Sequence, residues 1–178
     1  SSGKEGVNLQ WCPADKKDWF RLLSTGYALY RQELDTEGKV IGVEKKLASK
    51  ITAQDSTWFK NNGNKLDGLM TPVGGLLYNK KFDFPESEGL NALDMKYNYL
   101  GYEAMRDISI AQAVGLGYRD TTAVVGKNYL YKIVSNDEKI NGTISIANDQ
   151  ISASMVPENV ILNWKFPNNI PLVEMQMM

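Results

Sequence analysis

Few residues in this sequence have the types and spacing that catalysis or metal binding requires. The chain contains no histidine, which removes the side chain that most often acts as a general base and most often binds metals. Its one cysteine, Cys12, has no histidine to activate it, so we interpret it as an inert thiol. We therefore expect no catalytic residue, no cofactor site and no metal site, and we expect that the chain is not an enzyme.

Carboxylates and glycines are the remaining groups that could bind ions or phosphates. Carboxylate oxygens suit calcium, but the spacing of the acidic residues near the start of the chain matches no calcium-binding loop. Roles in helix caps and turns explain these residues better. Those acidic residues are Asp15, Asp18, Asp35 and Glu37. The glycines at 74–75 and 115–117 lack the further residues of a nucleotide-binding loop. A glycosidase needs two acidic residues around one substrate, and no pair stands out for that role.

Length and composition are typical of an ordinary globular protein. The 178 residues are enough for one domain with a sizeable core, and 43% of them are hydrophobic while 23% are charged. The net charge of -1 gives no basic excess to attract nucleic acid or an anionic membrane surface. No apolar run is long enough for a transmembrane helix. We therefore expect neither nucleic-acid binding nor membrane insertion.

The first part of the chain predicts a strand followed by a short helix. Residues 7–11 alternate apolar and polar, so Trp11 would face inward. Asp15 is placed to cap the helix, because its carboxylate can accept the free N–H groups of the first turn. Trp19 and Leu22 would lie on the apolar face of that helix.

Two later stretches show the alternation of strands with one buried face. Residues 27–31 predict a strand on which Tyr27, Leu29 and Arg31 share one face. A turn and a weaker strand at 40–43 would complete a hairpin with it. Residues 118–134 predict a loop, a short strand, a turn and a longer strand.

The middle of the chain has a different pattern, which predicts mainly helices. Residues 45–50 are polar and fit either a helix or an exposed strand. Residues 66–77 are apolar but contain proline and three glycines, so we predict an irregular, partly buried loop. Residues 88–114 follow helical spacing and predict the longest helix, with Gly101 as the candidate interruption.

Towards the end, residues 140–147 predict a further strand, and residues 160–166 predict another. The second of these repeats the apolar, polar, tryptophan pattern of residues 7–11, and a proline again follows closely. We interpret residues 149–178 as a linker and the start of a following, truncated domain.

The outer segments resemble a fibronectin type III domain. The strand that ends at Trp11 resembles the second strand of that family, and residues 26–31 resemble the third. Residues 120–133 resemble the turn and sixth strand, and residues 140–147 the last strand. The resemblance implies structural roles for Trp11, Tyr27 and Tyr129, with Tyr129 as the corner tyrosine whose hydroxyl bonds to upstream backbone.

More narrowly, the chain resembles large multi-domain surface proteins of Bacteroidetes-type bacteria and their phages. In these proteins a helical insertion ends in a Gly-Leu-Gly-Tyr-x-Asp stretch, as residues 115–120 do here. The implied fold class is mainly β with α: a fibronectin type III-like β-sandwich interrupted by a mainly helical insertion. Its parts are residues 1–43 and 118–148 for the sandwich, 44–117 for the insertion and 149–178 for the linker and following domain.

The resemblance implies a non-catalytic structural or protein-interaction module of a larger extracellular, cell-surface or virion protein. Its partners would be other protein domains or subunits. A carbohydrate-binding module attached to an extracellular enzyme, with glycans as ligands, is the alternative. Tyr99 and Tyr102 fall off the main apolar face of the long helix, so together with Trp58 they form a candidate partner-binding surface. Packing of these aromatic rings in the core is the competing explanation.

Overall fold

The computed structural model describes residues 6–78, 92–124, 126–140, 143–147 and 160–161. Within these residues the chain forms both helices and strands, which confirms the coarse prediction of a mixed fold. The helices are α1 Lys16–Thr25, α2 Ser56–Asn62, α3 Met70–Tyr78, α4 Ala92–Arg106 and α5 Ile108–Ala113. The strands are β1 Val7–Gln10, β2 Tyr27–Leu34, β3 Val40–Ile51, β4 Gly117–Asp120, β5 Asn128–Ser135, β6 Thr143–Ala147 and β7 Val160–Ile161.

The strands form two sheets. The first has the order β3-β2-β5-β6, and every neighbouring pair in it is antiparallel. The second has the order β4-β1-β7, in which β1 pairs antiparallel with β4 and parallel with β7. Of the strand predicted at 160–166, only β7 lies within the described residues. The rest of residues 149–178 lies outside them.

Strand β2 lies between β3 and β5 and turns one face to the core. Tyr27 and Leu29 are buried on this face, and Arg31 follows them with little exposure. Leu29 and Arg31 stand opposite Ile133 and Tyr131 of β5, which are buried too. The predicted face of β2 is thereby confirmed.

Strand β3 is longer than the sequence predicted. Its pairing with β2 continues to Ile51, so residues 45–50 are strand and not helix. The strand extends past residue 44, where the helical insertion was predicted to begin. Three register shifts interrupt the pairing, and these irregularities explain why the alternation of β3 is weak in the sequence.

Helix α1 forms where the sequence predicted it. Asp15 accepts hydrogen bonds from two backbone N–H groups of the first turn, at 2.7 and 3.1 Å. Trp19 and Leu22 are buried, as expected. The helix ends at Gly26, which has a φ of 75° and lies so close to Ile51 that a Cβ would meet the carbonyl oxygen at 2.5 Å. Only glycine fits this junction without strain.

The single long helix predicted at 88–114 is two helices, and the break is not at Gly101. Helix α4 continues through Gly101 to Arg106. Asp107 then caps α5, because its carboxylate accepts hydrogen bonds from two backbone N–H groups at the start of that helix. A local capping interaction therefore sets the break. The predicted start at 88–91 lies outside the described residues.

Residues 70–77 are helical and not the irregular loop that was predicted. Pro72 occupies the first turn of α3, where a helix needs no backbone N–H donor. Met70 and Val73 are buried, and Gly74 lies directly against the ring of Phe59 on α2. Tertiary packing therefore outweighs the poor helix propensity of glycine.

One hydrophobic core joins the sheets to the helices. Trp11 packs edge-on against Tyr27 with ring centroids 5.5 Å apart, and Trp19 of α1 packs against Tyr97 of α4 at 5.8 Å. Buried side chains of the other helices belong to the same cluster, among them Phe59, Met70, Val73 and Ile110. The helices between β3 and β4 are therefore held on the sheets by shared side-chain packing.

We expect the substitution Gly74→Ala to destabilise the protein. A Cβ at this position would lie 2.6 Å from the Cβ of Phe59, and overpacking costs about 1–3 kcal/mol, whereas alanine normally stabilises a helix by about 1 kcal/mol. Gly101→Ala is the matched control, because the nearest atom outside its helix is Cys12 Sγ at 3.4 Å. Urea unfolding should show a loss for the first variant and no loss for the second. A stable Gly74→Ala variant would contradict the tight contact between α2 and α3.

Candidate functional site

The three aromatic residues predicted for partner binding differ in how much of each ring is free. Trp58 on α2 is partly buried and packs edge-on against Phe59 at 5.2 Å. Tyr99 on α4 is partly buried against the core. Tyr102 is 57% exposed, and the guanidinium of Arg106 lies 5.3 Å from its ring centroid. Of the three, Tyr102 presents the largest free surface to a partner.

An open groove of about 770 Å³ lies between α2 and α3, within the size range of ligand sites. Its lining comes from one face of each helix: Ser56, Phe59, Lys60, Thr71, Gly74, Gly75 and Tyr78. The Tyr78 hydroxyl donates a hydrogen bond of 2.5 Å to the carbonyl oxygen of Gln54, which fixes the direction of an exposed ring. Among the described residues, the groove lining offers hydroxyls, an amine and an oriented aromatic ring, but no carboxylate for proton transfer.

The predicted aromatic residues do not line this groove, although Trp58 is next to Phe59 in sequence. Tyr78 was missed, because residues 66–77 were predicted to be a loop. The signal was the spacing of Thr71, Gly74 and Tyr78, which places small and polar residues on one face of a helix. That spacing has meaning only once the segment is known to be helical.

The residues with predicted structural roles lie in the core. Trp11, Tyr27 and Tyr129 are all buried. The hydroxyl of Tyr129 accepts a hydrogen bond of 3.1 Å from the backbone N–H of Val124, five residues upstream. The guanidinium of Arg31 lies 4.4 Å from the centroid of the Tyr129 ring. Tyr129 is thus held at its hydroxyl and over its ring face.

Asp120 is the centre of a buried polar network that joins the two sheets. Its Oδ2 accepts hydrogen bonds from Arg31 Nη1 at 2.5 Å and from the Tyr131 hydroxyl at 3.0 Å. Its Oδ1 accepts from the backbone N–H and the hydroxyl of Thr122, at 2.9 and 2.7 Å. Asp120 belongs to β4, whereas Arg31 and Tyr131 belong to β2 and β5. A carboxylate has about four acceptor positions, so this one has none left for a substrate.

Asp120 and Arg31 each stabilise the charged form of the other. Burial alone raises the pKa of Asp120, but hydrogen bonds from Thr122 and Arg31 outweigh burial and lower the pKa. Burial lowers the pKa of Arg31, but the hydrogen bond and charge of Asp120 outweigh it and raise the pKa. Burial and the Asp120 charge together raise the pKa of Tyr131. At neutral pH, Asp120 and Arg31 are therefore charged and Tyr131 is neutral.

Stability should fall in acid. The pKa of Asp120 is lower in the folded protein than the value of about 3.9 for an unfolded chain, so its contribution is complete above about pH 5 and is lost as the pH falls through the folded pKa. Urea unfolding between neutral pH and about pH 2 measures this loss. The variant Asp120→Asn should lose less stability over the same range. An equal loss would assign the acid sensitivity to another group, such as Asp137, whose pKa the Lys139 N–H lowers.

Cys12 is half-buried beside α4 and Tyr97. Burial raises the pKa of its thiol to about 11, and a hydrogen bond with Tyr97 opposes that shift only in part. The thiol is therefore protonated at neutral pH, whereas the thiolate is the nucleophilic form. This surrounding gives Cys12 little reactivity.

Among the described residues, no three Cys, Asp or Glu side chains lie close enough together to hold a metal ion. No helix in this part of the chain is both long and apolar enough to cross a membrane. Comparisons with protein-family models, curated proteins and solved structures found no match to the chain.

Proposed function

We propose that this chain is a non-catalytic structural or protein-interaction module of a larger extracellular, cell-surface or virion protein. Its sheets would form a fibronectin type III-like sandwich, with helices α2 to α5 as the insertion and other protein domains or subunits as partners. The observation that carries the proposal is the placement of the helices between β3 and β4. They are packed into the core of the sheets, yet α2 and α3 leave an open groove at the surface. A rigid body that presents an open surface suits recognition.

The strand order supports the sandwich part of this proposal. In immunoglobulin-like sandwiches the second and fifth strands share one sheet, and the third, sixth and seventh share the other. If β1 is the second strand, then β1 pairs with β4 as expected, and β2, β5 and β6 are neighbours as expected. The bond from the Val124 N–H to the Tyr129 hydroxyl resembles the tyrosine corner of that family.

The groove is best tested with surface variants, because deleting helices that share the core would unfold the protein. We expect the immobilised chain to capture partner proteins from an extract of the source organism or its host. Lys60→Glu places a reversed charge in the groove, so its captured set should shrink. Lys17→Glu, an equal change at an exposed site on α1, should capture the same set as the unaltered chain. Capture of nothing by any folded variant would contradict the interaction role.

A carbohydrate-binding module is the second candidate, and the oriented ring of Tyr78 favours it. Sugar rings stack on exposed aromatic rings, and hydroxyls such as those of Ser56 and Thr71 can bond to sugar oxygens. On a glycan array, binding that Tyr78→Ala abolishes and Tyr102→Ala preserves would support this function. Glycan binding that survives Tyr78→Ala would exclude the groove as the sugar site.

A further inference from the structure

Strand β3 leaves an unusually large part of its surface in solvent. Every residue from Val40 to Lys46 is exposed, although the segment is paired with β2. Val43 is 91% exposed, and the neighbouring Val40 and Ile41 are exposed as well. Aliphatic residues grouped in this way on a folded surface often mark a contact site for a partner.

The position of β3 in the sheet adds a second feature. In the sheet order β3-β2-β5-β6, β3 is a terminal strand. One side of the β3 backbone therefore has no strand partner among the four described strands. Unpaired N–H and C=O groups at such an edge can bond to an added extended segment. A partner that lies along β3 would therefore be an extended polypeptide.

The charges along β3 define what kind of polypeptide fits. Lys45, Lys46 and Lys50 lie on the strand and Lys39 immediately precedes it. Within the described residues, no carboxylate pairs with Lys39, Lys45 or Lys50. The one acidic residue of the strand, Glu44, is already paired with Lys132 at 2.6 Å. The edge is therefore positively charged and complements an acidic segment.

The same features oppose pairing with a second copy of this chain. Two β3 edges side by side would bring lysines of both copies together, and like charges across strands are destabilising. At the widest irregularity, a step of four residues on β3, from Ile41 to Lys45, stands opposite a step of two residues on β2, from Arg31 to Glu33. Such bulges also discourage long, indiscriminate strand pairing. The β3 edge therefore disfavours pairing with a second copy of the chain and favours a segment of negative charge.

We propose that the outer edge of β3 binds an extended acidic segment of a partner protein, whose carboxylates meet the lysines and whose aliphatic residues contact Val43. The inference rests on the proposed interaction role, but it concerns a different surface from the groove between α2 and α3. A groove variant that no longer captures a partner would not contradict this inference. Failure of the β3 experiment would likewise not contradict the proposal for the groove.

The test uses the full chain and synthetic ten-residue peptides of alternating residues, followed by calorimetry and amide hydrogen exchange. A Glu/Val peptide should bind and slow the exchange of amides in β3. A Lys/Val peptide should not bind. A Glu/Val peptide with N-methyl groups on alternate residues should bind at least about tenfold more weakly, because it lacks the N–H groups for strand pairing. Added salt should weaken binding, because the lysine contacts are exposed.

Matched variants decide whether the named residues carry the binding. Lys45→Glu/Lys50→Glu should weaken it at least about tenfold, whereas Lys17→Glu/Arg119→Glu, with the same change in net charge at exposed positions outside β3, should leave it unaltered. Val43→Ser should weaken it, whereas Val124→Ser, also at an exposed position, should not. Absence of binding, protection outside β3, or equal binding of single-stranded DNA of the same charge would overturn the proposal.

Discussion

Replacing Asp120 with alanine is expected to lower the free energy of unfolding by about 3–5 kcal/mol. The substitution would leave Arg31, whose side chain is only 11% exposed, without its carboxylate partner. It would also remove the acceptor of the buried Tyr131 hydroxyl. The loss is large because the remaining charge stays desolvated but no longer has a counter-charge. Urea unfolding at neutral pH measures the difference from the unaltered chain.

Two comparisons isolate the role of burial in this effect. Asp94→Ala removes a carboxylate from the more exposed pair with Lys16 and should cost about 0–1 kcal/mol. Arg31→Met/Asp120→Leu removes both buried charges and should recover part of the stability that Asp120→Ala loses. A cost for Asp120→Ala no larger than that for Asp94→Ala would contradict a stabilising network between the sheets.

Replacing Trp19 with alanine is expected to cost about 3–5 kcal/mol as well, for a different reason. The Trp19 side chain is 1% exposed and connects α1 to Tyr97 of α4, so its removal would leave a large cavity between the helices. The adjacent Phe20 is 53% exposed, and Phe20→Ala should change stability by only about 0.5 kcal/mol. Similar losses for the two variants, measured by urea unfolding, would contradict the assigned buried face of α1.

The candidate surfaces could be predicted from the sequence only in part. Tyr102 was predicted for partner binding from its position off the apolar face of a helix, and most of its surface is exposed. Trp58 and Tyr99, predicted with it, are partly buried against the core. The groove between α2 and α3 was not predicted, because it exists only where two helices meet. Val43 lies within an irregular part of the β2–β3 pairing that the sequence did not predict, and it is 91% exposed.

Features that depend on near neighbours were determined by the sequence itself. The cap at Asp15 and the apolar face of α1 follow from residues within two turns of one another. That Tyr27, Leu29 and Arg31 share one face of β2 follows from the two-residue period of a strand. In each case the pattern that predicts the element lies within a few residues of sequence, so spacing suffices to identify it.

Only the tertiary structure decided which distant groups meet. The position of Arg31 on the same face as Leu29 indicates a buried positive charge that needs a carboxylate partner. No local sequence pattern identifies Asp120 as that partner. Helix α3 persists despite its glycines because Phe59 fills the space that the missing side chain of Gly74 leaves. These contacts join residues far apart in the chain. Their energy therefore depends on how the sheets and helices pack, which local patterns do not encode.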